Sequence, residues 1–242
     1  MISANRLGFA SAALTATISA IFFAAGILTP ARSGPFCVQS GHGSCIVYPY
    51  VSGLASFVPI DYLWLYPGFL LAFVFVVLMA CIHRRASDDK KVFSQIALSF
   101  ALVYAVVITI DYWIQLVVVE PSILSGQTEG LSLFTQYNPH GIFISLECLA
   151  YLMMSVALLF EATVLGGGRL ERTIGRLFVA SFVLVVGALI SLSLLGYDIV
   201  AFEVTVLLIN WTVLIVSGAL LSVVFKRTGT TMKDERMLPN RF

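Results

Sequence analysis

Six separate stretches of the chain are apolar almost from end to end, and that pattern decides its fold class. They cover Leu7–Thr29, Pro67–Ile82, Phe93–Val118, Gly141–Leu165, Leu177–Leu195 and Ile199–Phe225. Crossing a hydrocarbon core roughly 30 Å thick takes about 20 helical residues at 1.5 Å each. Leu, Val, Ile, Phe and Ala dominate all six, without the period-two alternation of a barrel strand. The expected fold is all-α, a polytopic bundle of six transmembrane helices forming one domain over residues 1–242. Composition agrees, since only 11% of residues are charged, where a soluble domain carries about 25%. The net charge of +1 leaves no basic surplus for nucleic acid. The expected partner is the lipid bilayer.

Charge between the spans sets the orientation. With the N-terminus in the cytoplasm, Arg6, the Arg84–Lys91 loop, the Arg169–Arg176 loop and the tail 226–242 all fall on that side. Every one of the 14 Lys and Arg residues except Arg32 is then cytoplasmic, as the positive-inside rule requires. Both termini are expected inside.

The first span resembles a secretory leader in its basic start and apolar core. It is long enough to cross and lacks a clear small-x-small site, so it is read as retained. Gly8, Ala12, Ala16, Ala20 and Ala24 recur every fourth residue, a small-residue ridge for close helix approach, either within the chain or between copies.

The long outer loop, 30–66, holds Cys37 and Cys45. On the oxidising side of a membrane these are expected to form a disulfide. A metal reading would recruit His42, but two further ligands are not evident. Val51–Ile60 is too short to span and is expected at the interface or as a re-entrant segment. Tyr62, Trp64 and Tyr66 fit an interfacial aromatic belt. Cys81 and Cys148 lie within spans, as small hydrophobes.

Ionisable groups inside spans are expensive and mark candidate sites. The third span carries Asp111 and Gln115 one turn apart. The fourth opens with Asn138 as a helix cap and Pro139 in its first position, then presents His140, Glu147, Tyr151, Ser155 and Glu161 near one face. The sixth has Glu203, Asn210 and Ser217 at intervals of seven, close to whole helical turns. Asp111, Glu147 and Glu203 each fall roughly 6–10 Å inside the outer boundary at 1.5 Å per residue. Spans three, four and six are therefore expected to surround an outward-opening acidic cavity, with spans two and five behind them or facing lipid. Arg32 alone cannot balance three carboxylates, so protons, hydrogen bonds from Tyr104, Tyr112, Trp113, Gln115, Tyr151 or Asn210, or a bound cation must do so. The plain alternative is that these groups act as interhelical glue, at about 0.6 kcal/mol per bond. On that alternative Glu161, near the inner boundary, reaches head groups or pairs with Arg169 or Arg172; on the site reading Tyr151, Ser155 and Glu161 extend the polar track inward.

Gly166-Gly167-Gly168 lacks the Lys and Ser/Thr of a phosphate loop, and no Gly-x-Ser-x-Gly or His-Glu-x-x-His motif occurs. Asn210-Trp211-Thr212 matches a glycosylation pattern but lies mid-span. With His42 and His140 outside and His83 inside, a three-histidine zinc site is excluded by topology. No metal and no cofactor are expected.

The segment Leu133-Phe134-Thr135-Gln136-Tyr137-Asn138-Pro139-His140-Gly141-Ile142-Phe143, with Asp61-Tyr62-Leu63-Trp64 and Arg84-Arg85-Ala86, resembles a family of prokaryotic six-span integral membrane proteins with no assigned activity. The resemblance runs from Asp61 through most of the chain and implies a six-span bundle in a prokaryotic plasma membrane.

The expected function is a small transporter or solute-binding membrane protein for a proton, cation or small cationic solute, lined by Asp111, Gln115, His140, Glu147, Tyr151, Glu203 and Asn210. Two alternatives stand beside it: a non-catalytic sensor or assembly component, and an enzyme acting on lipid at the outer leaflet with His140 and Glu147 as acid and base.

Overall fold

Proline placement leaves the apolar stretches free to coil. Pro67 stands in the first turn of its helix, and Pro30, Pro35, Pro49, Pro59 and Pro139 lie in loops, so none of these interrupts an i→i−4 ladder. The computed structural model describes residues 4–37, 45–196 and 198–237, with side chains as far as 228. Its helices are α1 (Ala4–Leu28), α2 (Leu65–His83), α3 (Lys91–Ile114), α4 (Glu120–Leu124), α5 (Ile142–Ala162), α6 (Arg169–Leu195) and α7 (Ile199–Met237). Among the described residues there is no strand. Six of the helical segments are long and apolar enough to cross a membrane, α3 and α4 counting as one.

The third segment runs from Asp88 to Leu124, past both expected ends. Pro121 explains its shape. A proline has no N–H and its ring crowds the carbonyl four residues back, and just before it the helix widens into a π turn over Gln115–Val119, with the Glu120 N–H bonded to the Gln115 carbonyl. The fourth segment begins later than expected. Asn138 does not cap it: its Oδ1 accepts the His140 N–H and its Nδ2 donates to the Ser132 carbonyl, closing a local turn instead. Gly141 stands at the cap and the helix starts at Ile142. At α7 the Asp198 carboxylate does cap, accepting from the Val200 and Ala201 N–H groups. This helix continues through Met237, so much of the expected tail is helical.

The helices form a ring in which α1 touches α2, α2 touches α3, α3 touches α5, α5 touches α6, α6 touches α7, and α7 returns to α1. Helix α5 also reaches α7 across the ring. The small-residue ridge serves the α1–α7 contact through its first half. A Cβ on Gly218 would stand 2.8 Å from the Ala12 carbonyl and 2.9 Å from the Ala16 nitrogen, and Gly8 faces the Phe225 ring. Ala20 and Ala24 are exposed, and Thr15, Ser19 and Phe22 take the buried face. Four steps of four residues drift about 160° around a helix of 3.6 residues per turn, so the ridge cannot stay on one partner.

Helix α6 leaves Val179, Val183, Leu184, Ile190 and Leu194 exposed, as expected of a peripheral span. Helix α2 is packed on one side, where Leu71, Ala72 and Phe75 are fully enclosed, and exposed at Leu70, Phe73 and Val77. Being apolar on every side, it carries no pattern that distinguishes core from lipid. Between α1 and α2, the Val51–Ile60 region forms a short 3-10 turn over Leu54–Phe57, and Cys37 is disulfide-bonded to Cys45. His42 lies outside the described residues.

Candidate functional site

The three acids of the spans meet. Asp111 from α3 and Glu147 from α5 are buried, Glu203 from α7 is half-buried, and each lies within electrostatic reach of the others. The Tyr112 hydroxyl, one residue past Asp111, donates to Glu147 Oε1. Glu203 stands against the same carboxyl group. Glu147 Oε2 and Asp111 Oδ2 have no conventional hydrogen-bond partner. The ion pairs among the described residues are Arg32–Asp61, Arg85–Glu171 and Lys91–Asp88, none of which touches this cluster. Nor do three His, Cys, Asp or Glu side chains among the described residues converge closely enough to hold a metal ion.

Below the acids a polar ladder joins α5 to α7. Tyr151 is fully enclosed and accepts the Trp211 indole N–H at 3.0 Å. Ser155 donates to Asn210 Oδ1 at 3.0 Å, and Asn210 Nδ2 donates to the Val206 carbonyl. Further along α5, Glu161 is wholly buried with Ser94 of α3 at 3.2 Å, instead of reaching Arg169, Arg172 or the surface. The α5 stripe therefore turns inward along its whole length, because 147, 151, 155 and 161 return to nearly one face every 3.6 residues.

The cavity is not where the spans alone placed it. A space of about 310 Å³ opens between the end of α1, the start of α7 and the segments leading into α2 and α5. Glu203 is the only one of the three acids in its wall, which is otherwise largely apolar and aromatic, with Trp64, Phe143, Leu207 and Trp211. Asp111 and Glu147 lie behind it. The aromatic rings account for the difference: Trp64 packs edge-on against Tyr112 at 5.7 Å and Phe143 at 6.1 Å, so ring surface stands where an open acidic wall was expected. Phe22 of α1 meets Trp211 at 4.5 Å, which brings α1 into a site expected from spans three, four and six.

Arg32 and Asp61 form the cavity's mouth and were not foreseen as a unit. Arg32 Nε and Nη2 donate to the two carboxylate oxygens at 2.8 and 3.0 Å, and the guanidinium lies 4.0 Å over the Phe57 ring. The Tyr137 hydroxyl adds a bond to Asp61 at 3.2 Å. Asp61 holds the Arg32 guanidinium even more firmly in its charged form, and burial pushes the Tyr137 hydroxyl up, so it acts as a neutral donor. Gln136 completes the network, donating to the Asp61 carbonyl and accepting the Trp64 indole N–H. A lone cation and the few acids at one end of the bundle were a sequence signal for this pair, but the two stand 29 positions apart in the chain.

Two of the expected site residues stand apart. Gln115 is buried, yet its amide binds the backbone of Phe134 and Gln136, tying that loop to the π turn. His140 is exposed and lies in a separate apolar groove beside Ser145, Cys148 and Leu189. No family model, curated protein or solved structure matches the chain.

Proposed function

We propose that the protein is a multipass plasma-membrane protein of a prokaryote, with both termini and its basic loops in the cytoplasm, that binds and carries a small organic cation. The observation that carries this reading is Glu203, which borders an aromatic cavity while Glu147 and Asp111 stand behind it without a basic partner. An amine or quaternary ammonium group suits such a place, since it gains from a carboxylate and from the faces of Trp64 and Trp211. Arg32 does not oppose it, being offset by Asp61. The polar pairs Trp211–Tyr151 and Ser155–Asn210, followed along α5 by the separate Ser94–Glu161 pair, support proton movement along that helix, the kind of polar series that proton-coupled carriers use.

The test is uptake of a labelled tetraalkylammonium ion, and of protons, into proteoliposomes. Uptake above that of empty vesicles, lost in Glu203→Gln and Glu147→Gln, is the expected result. Uptake equal to empty vesicles with the folded protein present overturns the carrier. A second reading, a sensor or assembly component, draws on Tyr112–Glu147 and Ser155–Asn210, which join helices as structural glue would; it predicts no flux. The enzyme reading has no such support, because exposed His140 is not joined to Glu147, whose hydrogen-bond donor is Tyr112.

A further inference from the structure

The basic end of the bundle carries a second cleft, which the cation site does not use. It encloses about 370 Å³ between the α2–α3 turn, the α5–α6 loop and α7. Its lining has two halves by chemistry: apolar Ile82, Leu221, Val224 and Phe225, and polar Arg85, Ser87, Lys90 and Glu171. Glu171 already sits there as an internal anion. The Gly167 N–H donates to its Oε2 at 2.6 Å, while Arg85 Nη2 stands 3.6 Å from Oε1, a loose pair. Arg85 is steadied from α7, donating to Thr228 Oγ1 at 3.2 Å and lying 4.9 Å over the Phe225 ring. Lys90 Nζ comes up beside Gly166 and takes part in none of the ion pairs among the described residues. Arg85 and Lys90 against Glu171 leave one positive charge in excess.

We infer that this cleft binds the phosphodiester of an anionic phospholipid, held by Lys90 and Arg85, with the lipid's apolar part against the α7 wall. One surplus positive charge matches the single negative charge of phosphatidylglycerol. The apolar half of the lining has a use for an acyl chain and none for free phosphate. Basic pockets between helices on the cytoplasmic side hold anionic head groups in this way. The inference rests on the membrane residence proposed above and not on the cation site. A protein that fails to partition into membranes fails that earlier reading, whereas one that partitions without head-group preference fails only this one.

The experiment titrates the detergent-purified full chain with phosphatidylglycerol or phosphatidylcholine and counts bound lipid by native mass spectrometry. Phosphatidylglycerol is expected to be retained in preference. Lys90→Gln should weaken it about fivefold, the equivalent of one near-surface cation, with phosphatidylcholine unchanged. Ser87→Glu, which adds a carboxylate to the cleft without removing a contact, should weaken it as well. Arg176→Gln is the control, being exposed at the same end and outside the cleft. Equal loss in Lys90→Gln and Arg176→Gln overturns the site in favour of diffuse charge. Absence of any head-group preference overturns it too. Displacement of phosphatidylglycerol by inorganic phosphate at matched ionic strength would assign the cleft to a soluble phosphate compound and overturn the lipid.

Discussion

Tyr112 on α3 donates its hydroxyl to Glu147 on α5, and neither side chain is open to solvent. The Tyr112 ring is held independently, against Trp64 and Phe143, so Tyr112→Phe removes the donor and leaves the packing. Losing one partner of a buried polar pair costs about 1–3 kcal/mol. Thermal unfolding in detergent should show that loss for Tyr112→Phe. Glu147→Gln keeps an acceptor of the same shape and should cost less. A larger loss for Glu147→Gln would mean that the ionised carboxylate, rather than the hydroxyl bond, holds this contact.

Two glycines give opposite expectations for the same substitution. At Gly218 the added methyl would collide with the backbone of α1, and overpacking against backbone costs about 1–3 kcal/mol. At Gly187 on α6 nothing lies within 4 Å of the added carbon, so alanine gains helix propensity and stabilises by up to about 1 kcal/mol. Gly218→Ala should therefore lower the melting temperature and Gly187→Ala leave or raise it. Equal effects would contradict the close approach of α1 and α7.

Asp61 is almost wholly buried and answers Arg32 through both oxygens. Asp61→Asn leaves the guanidinium facing a neutral amide and weakens the Tyr137 bond, a loss of about 2–3 kcal/mol for a partly open charged pair. Limited proteolysis of the 30–66 loop is the direct measurement, and cleavage there should speed up before the bundle melts. An unchanged rate would show that the disulfide alone fixes the loop.

Apolar length was enough to read the helices, because a backbone of such residues has few other ways to satisfy its polar groups in lipid. Helix ends were less legible. Asn138 carries a capping side chain, but the Ser132 carbonyl and the His140 N–H claim it first, and a competition of that kind is not written in spacing. The closeness of Asp111, Glu147 and Glu203 agrees with what helical spacing and depth together led one to expect, each acid lying on a polar stripe and at one level. The position of the cavity did not follow, because Trp64, Phe143 and Trp211 reach it from three different segments and no periodicity links them. For Glu161 the spacing leaves two outcomes open, the head groups or the inward polar face, and the structure takes the second. Its distance along α5 puts it near the basic end, while its direction, set by the same turn that aims Glu147 inward, puts it in the core.

That buried Glu161 is the sharpest place to separate structure from transport. Its carboxyl group is wholly enclosed, and the Ser94 hydroxyl at 3.2 Å is its hydrogen-bond donor. If it merely ties α3 to α5, replacing both partners together, Glu161→Leu with Ser94→Ala, is neutral or stabilising, because no buried polar group is left unpaired. If it receives protons from the ladder above it, the same leucine blocks flux however stable the protein becomes. The double replacement should therefore leave the melting temperature unchanged or raised and abolish proton-coupled uptake in proteoliposomes, while Glu161→Leu alone, with Ser94 left unpaired, should be the less stable of the two. Ser94→Ala, which strips the carboxyl of its donor, should lower stability by about 1–3 kcal/mol and retain some uptake. Full uptake in Glu161→Leu would end the pathway at Asn210 and return Glu161 to the role of a helix tie.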